Sequence, residues 1–271
     1  MSNFRKLYLA LFSIMLSIPG VIAKDGALDK PNAKPSQPAH IVFLISEDPD
    51  NYDAHLTIPI FAQQLKKELG YQVTVLRGTG ERQAFEFPGL EALKEADLVV
   101  LFARRLALPK KQMKLIQSYL NKGKPLVGIR TANHAFAVRE ENIPRTHTDW
   151  WDFVPKILGC ENRGYGPVGP GTFVRAVPQE HSNPVLTGIA RDAWHSKGNL
   201  YLVAPLLDTD ATVLLEGQSD GKTEPIAWTR RAGSSRVFYT SLGYPSDFDV
   251  PEFRQLLING IRWALEEEIV L

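Results

Sequence analysis

Cysteine is almost absent from the sequence. Cys160 is the only one among 271 residues. A single thiol cannot close an internal disulfide, so packing alone must stabilise the folded state. Cys160 lies in a loop-like stretch rich in glycine, a setting that favours a partly buried structural thiol over a reactive one.

The chain also lacks an excess of charge of either sign. It has 31 Lys and Arg residues against 30 Asp and Glu residues, a formal net charge of +1. Proteins that bind nucleic acid through their phosphates carry a basic excess, so we expect no nucleic-acid partner. A glycine-rich turn after the first predicted strand is missing too, since Ser46, Glu47 and Asp48 stand there. This argues against a P-loop or dinucleotide site.

Long hydrophobic runs are missing except near the start of the chain. Arg5 and Lys6 precede an apolar run over residues 7–15, and small residues follow up to Ala23. This pattern predicts a signal peptide over residues 1–23, cleaved after Ala23, and a periplasmic or secreted protein. The run is shorter than a bilayer span, so we expect no stable membrane span after cleavage. The alternative is an uncleaved membrane anchor.

Residues 24–39 contain three prolines among polar residues, which predicts a linker. From His40 onward, short apolar runs alternate with helical periodicity. This alternation predicts a single α/β domain over residues 40–271, built on a doubly wound, mostly parallel sheet with additional antiparallel strands in the C-terminal half. Residues 135–171 interrupt this alternation as a long irregular segment, here called the excursion. Irregular segments of that length are usually functional.

The apolar runs, and the turn-forming residues between them, indicate where the strands and helices lie. Uninterrupted runs are typical of parallel strands covered on both faces, and we predict four of them, over residues 41–45, 73–76, 97–102 and 125–129. Further strands are predicted over residues 172–177, 211–216, 226–230 and 236–241, the last two forming a hairpin. Helices are predicted over residues 58–69 and 90–96, after Pro109, and over residues 250–268, the last with a capping box of Asp249 and Glu252.

Ligands of an open parallel sheet collect beyond the carboxyl ends of its strands. There, residues 128–132 (GIRTA) have the form of a nucleophile elbow with Arg130 at its centre. A guanidinium cannot attack a carbonyl, which excludes ordinary glutaminase activity. Arg130 is therefore a candidate substrate-binding residue. The alternative is an arginine that pairs with Glu47 or Asp48 to hold the turn.

Candidate acid and base groups lie at the same edge. His134 is one helical turn from Arg130, and Glu47 is a carboxylate that could serve as a base. We expect both to be catalytic, although His134 as a structural histidine is the alternative. Thr131, Asn133 and Tyr244 are expected to bind the substrate in the same cleft.

Aromatic residues suggest a sugar ligand. Trp150 and Trp151 lie between two aspartates, a composition suited to stacking on a sugar face, and His195 follows another tryptophan. Adjacent tryptophans that belong to the core and its rim are the alternative. Four histidines of the irregular half match no compact metal-ligand motif, so we expect no metal and no organic cofactor.

Three segments together resemble the ThuA-like (trehalose utilisation) branch of the class I glutamine amidotransferase-like superfamily: residues 126–136, 183–189 and 236–244. The resemblance implies a flavodoxin-like fold and sugar substrates, among them 3-keto-disaccharides. Members commonly carry histidine at the positions of Arg130 and Tyr244, so family-type proton transfer at those positions is in doubt.

Two classes of function follow. The first is an exported protein of carbohydrate catabolism that binds or converts a small saccharide, as a keto-sugar hydrolase or isomerase. The second is a non-catalytic carbohydrate-binding protein or an interaction scaffold. Whether the chain forms a homo-oligomer is open on sequence grounds.

Overall fold

Strands and helices follow the hydrophobic pattern of the sequence. The computed structural model describes residues 37–139, 142–190 and 192–269, so the predicted signal peptide and most of the predicted linker lie outside the described residues. The strands are β1 His40–Ser46, β2 Gln72–Glu81, β3 Ala84–Glu86, β4 Leu98–Phe102, β5 Leu108–Pro109, β6 Leu126–Ile129, β7 His147–Thr148, β8 Thr172–Ala176, β9 Asp192–Ser196, β10 Thr212–Ser219, β11 Lys222–Ala232 and β12 Ser235–Thr240. The α-helices are α1 Ala54–Leu69, α2 Lys110–Asn121 and α3 Pro251–Leu265.

The predicted parallel sheet is confirmed. Five strands run parallel in the order β2-β1-β4-β6-β12. Side chains alternate between the faces of a strand. In β1, Phe43 therefore packs in one core with α1 and α3, whereas Val42 and Leu44 pack in a second core with α2. Helices on both faces make the fold doubly wound, as the uninterrupted apolar runs indicate.

The C-terminal half extends the sheet with antiparallel strands. β12 pairs with β11 in the predicted hairpin, and β10, β8 and β9 follow toward the edge. Edge strands β3 and β9 were not predicted, because each is short and carries no clear apolar alternation. The remaining pair, β5 and β7, forms a separate two-stranded ladder.

Helix boundaries differ from the predicted ones in two places. α1 begins four residues earlier than predicted but ends as expected at Gly70, whose φ of 75° is the left-handed value that glycine favours. The predicted capping box before α3 is wrong, since Val250 occupies the N-cap position and makes no side-chain capping bond. Pro251 begins the helix instead, because its fixed φ suits a first turn.

The long excursion is held against the sheet by buried polar contacts from β11. The Arg230 guanidinium pairs with Asp208 at 2.5 Å and donates to the carbonyls of Lys156 and Ile157 in a π-helical turn, Val154–Leu158. The indole of Trp228 donates to the Leu158 carbonyl at 2.8 Å.

Helices in the described ranges are all too short or too polar to cross a bilayer.

Candidate functional site

Asn51 joins the carboxyl ends of three parallel strands. Its buried amide donates to the carbonyls of Ser46 at the end of β1 and Phe102 at the end of β4. Its oxygen accepts from the Thr131 hydroxyl, just after β6. Thr131, predicted to bind substrate, is fully enclosed in this contact. A lone asparagine outside any motif gave no sequence signal for this role.

Arg130 occupies the sharp turn after β6, as the elbow pattern predicts. Its φ of 43° lies in the left-handed region, which costs free energy for a residue with a side chain. The guanidinium is 1% exposed. It donates to the Ser241 carbonyl and to Asn199 Oδ1, each at 2.8 Å, and lies 4.0 Å from the ring centroid of Tyr52 and 4.7 Å from that of Tyr201.

The alternative in which Arg130 pairs with Glu47 or Asp48 is wrong. Among the described residues no carboxylate lies within ion-pair distance of Arg130, whose charge is stabilised by carbonyl dipoles and aromatic faces. The Asp48 carboxylate pairs with Arg82 at 2.7 Å instead. Gly198 covers the guanidinium so closely that a Cβ there would lie 2.9 Å from Nη1. Arg130 is thus enclosed by the protein itself.

His134 ends the same short 3₁₀ helix, Arg130–His134, and its ring is 3% exposed. Nδ1 contacts Asn133 Oδ1 at 2.5 Å and Asn162 Nδ2 at 2.9 Å. The Gly164 N–H donates to Asn162 Oδ1, which turns the Asn162 NH₂ group toward the ring. Nδ1 therefore lies between an acceptor, Asn133 Oδ1, and a donor, the Asn162 NH₂ group, while Nε2 makes no hydrogen bond to the described residues.

The surroundings of His134 keep the imidazole neutral. Burial is the largest cause that lowers its pKa well below the ordinary 6.5, and the positive charges of Arg105, Arg104, Arg139 and Arg130 lower it further. A neutral imidazole is the form that accepts a proton.

A cavity of about 270 Å³ opens beside His134. This His134 cavity brings together three residues predicted as site residues, Asn133, His134 and Trp151. Trp151 is 51% exposed, and its indole N–H donates to Asp149 at 2.6 Å. The remaining lining residues are Arg105, Ala137, Arg139, Val154, Pro155, Glu161 and Asn162.

Other predicted site residues lie outside the lining of the His134 cavity. Glu47 lines a different cavity, next to Asp48 and Arg82, and its half-exposed carboxylate pairs with Arg77 at 3.3 Å. Tyr244 packs with its ring 6.0 Å from that of Tyr52, in the enclosure of Arg130.

The other two predicted sugar contacts, Trp150 and His195, also lie outside the lining of the His134 cavity. Trp150 packs on Phe136 and Phe153, as expected from the alternative in which the adjacent tryptophans belong to the core and its rim. His195 is exposed on the edge strand β9, where its ring lies 4.6 Å from Phe173. Within the described part of the chain, no three His, Cys, Asp or Glu side chains converge as metal ligands.

Two lining residues give the cavity its polar character. Arg105 follows β4, where strand-end reasoning points to it as a candidate. Asn162 lies in the irregular excursion, where only the length of the excursion signals function. It donates at 2.9 Å to the hydroxyl of Tyr165, so its contact with His134 is part of a fixed network.

Comparison with solved structures supports the fold. A protein described as ThuA-like from Bacteroides uniformis is 18% identical, with a TM-score of 0.63 over 88% of this chain and 96% of that chain. A protein of the same description from Parabacteroides merdae is 17% identical, with a TM-score of 0.64 over 86% and 92% of the two chains. A cytoplasmic protein from Salmonella typhimurium is 13% identical, with a TM-score of 0.52 over 82% and 98%.

No curated protein matches the chain. The profile of one protein family does match, over residues 42–264, and its description is ThuA, trehalose utilisation. The match includes all three segments that carry the resemblance in the sequence and covers most of the chain. The protein therefore belongs to the ThuA family, with the class I glutamine amidotransferase-like fold.

Proposed function

We propose that this protein acts in carbohydrate catabolism by binding a small saccharide in the His134 cavity and transferring a proton on its keto form. One observation carries the proposal. A neutral imidazole presents a free Nε2 at a cavity beyond the carboxyl ends of the parallel strands. Membership in a family described by trehalose utilisation favours a sugar as the ligand.

The lining of the cavity suits one sugar ring. The exposed indole of Trp151 offers a face for stacking, while Arg105 offers donors to hydroxyl groups. Its volume of about 270 Å³ is just below the roughly 300–1,000 Å³ of sites for drug-sized ligands. A monosaccharide, or one ring of a disaccharide, is the ligand of matching size.

Proton abstraction next to a ketone fits these groups. His134 Nε2 would take the proton from the carbon beside the carbonyl, and the electron pair of that C–H bond would move to the carbonyl oxygen as an enolate. Arg105 would donate to this oxygen. Return of the proton to the former carbonyl carbon, together with transfer of the neighbouring hydroxyl proton to the enolate oxygen, completes an isomerisation. We assign no proton-transfer step to Glu47, whose carboxylate pairs with Arg77.

Glutaminase chemistry does not fit the chain. The elbow residue Arg130 cannot act as a nucleophile. The only thiol, Cys160, is fully buried, and burial raises its pKa to about 12. A thiol of that pKa is not a thiolate near neutral pH.

The test uses residues 24–271 with a 3-keto-glucoside in deuterated water. We expect the wild-type protein to exchange the proton beside the ketone, measured by NMR, and His134→Gln to slow that exchange by about 10²-fold or more. His195→Gln is the matched control, because this exposed histidine lies outside the cavity, and it should exchange at the wild-type rate. Exchange that persists at the wild-type rate in His134→Gln would refute the assignment of the base.

A second candidate function is saccharide binding without turnover. It is favoured by Arg130 and Tyr244 at two positions where the resemblance leads us to expect histidine. In that case a sugar would raise the melting temperature of the wild-type protein and not of Trp151→Ala, while no proton exchange would occur. A panel of sugars that all leave the melting temperature unchanged would contradict both functions.

Export is part of the proposal and rests on residues 1–23. Expression of the full chain in a bacterium with a periplasm should yield an exported protein whose first residue is Lys24, measured by mass spectrometry. A membrane-bound chain that keeps residues 1–23 would instead support the anchor.

A further inference from the structure

Two arginines that line the His134 cavity have no acidic partner. Across residues 37–139, 142–190 and 192–269, no carboxylate lies within ion-pair distance of Arg105 or Arg139. Among the described lining residues Glu161 alone is acidic, and its carboxylate pairs with Arg163 at 2.8 Å. The cavity therefore holds positive charge that the described protein does not neutralise.

Neighbouring arginines at the same sheet edge are neutralised. Arg82 pairs with Asp48 at 2.7 Å and with Asp50 at 3.1 Å. Arg104 pairs with Asp50 at 3.2 Å. Arg104 and Arg105 are adjacent in sequence, yet only the one whose side chain lines the His134 cavity lacks a carboxylate. Among these arginines, the guanidinium group without a carboxylate partner is thus the one in the His134 cavity.

The backbone conformation and the burial of Arg105 both cost free energy. Its φ of 52° is unfavourable for a residue with a side chain, and its guanidinium donates to the Ala137 carbonyl at a long 3.3 Å. Burial lowers the pKa of Arg105, and the charges of Arg139 and Arg104 lower it further, whereas Tyr165 acts in the opposite direction. A half-buried cation without a counterion is destabilising, and a bound anion would remove that cost.

We propose that the saccharide of the His134 cavity is a sugar acid whose carboxylate pairs with Arg105. The inference rests on the proposed function and narrows its ligand to hexuronates and aldonates. The described lining residues include two guanidinium groups and one carboxylate, which leaves a single positive charge among them. That charge matches a carboxylate better than a phosphate monoester, which carries nearly two negative charges. Guanidinium and carboxylate also match in shape, as a planar fork with two parallel hydrogen bonds.

Isothermal titration calorimetry with glucuronate, glucose and glucose 6-phosphate tests the inference. We expect the wild-type protein to bind glucuronate roughly tenfold or more tightly than glucose, because a hydrogen bond to a charged group is stronger than one to a neutral group. Arg105→Gln should abolish this preference, so that glucuronate and glucose bind with similar affinity. Arg105→Lys, which keeps the charge and loses the fork, should retain part of it.

A second variant changes affinity in the opposite direction. Glu161→Gln removes the acidic group of the lining, so glucuronate should bind several-fold more tightly than to wild type. Arg231→Gln is the matched control, because this exposed guanidinium contacts only Glu266, at 3.8 Å, and glucuronate affinity should not change.

The outcomes separate the inference from the proposed function. Equal affinity for glucuronate and glucose, or tighter binding of glucose 6-phosphate, would overturn the sugar acid and leave saccharide binding intact. Glucuronate binding that Arg105→Gln does not weaken would overturn the role of Arg105. Absence of binding for every sugar would overturn both the inference and the proposed function.

Discussion

At the scale of the residue, His134 is the group whose surroundings most change its chemistry. Four guanidinium groups and near-complete burial lower its pKa. The folded protein therefore keeps this imidazole neutral at pH values where the unfolded chain has already taken up a proton. Stability must depend on pH through this one side chain.

The sign of that dependence follows from linkage. The contribution of His134 to stability is fully present above its unfolded pKa of about 6.5, and it is lost as pH falls below that value, because only the unfolded state binds the proton. Wild type should lose about 1 kcal/mol more than His134→Gln between about pH 7.5 and about pH 5.5. Urea unfolding at both pH values measures the difference. Equal losses in the two proteins would show that His134 titrates normally when folded.

Cys160 gives a second residue-scale prediction. Its thiol is enclosed, and burial raises its pKa to about 12, although the charge of Arg230 lowers it in part. Near pH 8 the folded protein should react with a maleimide about 10³-fold more slowly than the chain in guanidinium chloride. Mass spectrometry over time measures both rates. Rapid labelling of the folded protein would mean that the excursion around Cys160 opens readily.

At the scale of the element, Asn259 fixes a turn to α3. Its buried amide donates to the carbonyls of Val185, within the 3₁₀ helix Pro184–Leu186, and of Thr187, just after that helix. Asn259→Ala leaves both carbonyls unpaired and should lower the free energy of unfolding by about 1–3 kcal/mol, measured in urea. Gln255→Ala is the control, because it removes only a bond to the Asn259 oxygen. Equal losses in the two variants would contradict this account.

Sequence reasoning located the elements whose signal is local. β1, β4 and β6 are predictable because both of their faces are covered, so residues 41–45, 98–102 and 126–129 form uninterrupted apolar runs. The Arg130 turn is predictable because small residues flank it. The edge strands β3 and β9 are not, since an edge carries no such run. The family resemblance rests on several segments at once, and the match of the family profile over residues 42–264 confirms it.

The contacts of the site are less predictable than its position. Arg130 is enclosed by Tyr52, Asn199 and Tyr201, which lie about 70 residues or more away along the chain. Asp48 meets Arg82 rather than Arg130 for the same reason. Side chains that meet only through the fold leave no spacing pattern, so sequence placed Glu47 and His134 at one edge without showing that they line different cavities.

At the scale of the whole molecule, β12 joins the two halves of the sheet. It pairs in parallel with β6 on one side and antiparallel with β11 on the other. Neither half has a complete set of neighbours without it. We therefore expect one cooperative unfolding transition, with equal calorimetric and van't Hoff enthalpies. Separate transitions by tryptophan fluorescence and far-ultraviolet circular dichroism would contradict this coupling.

The position of β12 also sets an order of events during synthesis. Ribosomes make the chain from its N-terminus, so β6 emerges long before its neighbour β12 does. Until then β6 and β11 each present an open edge, to which chaperones or other chains can add. Tyr239 and Ser241, which both hydrogen-bond to Arg130, come from the same late segment. The turn beside the cavity is thus completed only after β12 and Ser241 have been synthesised.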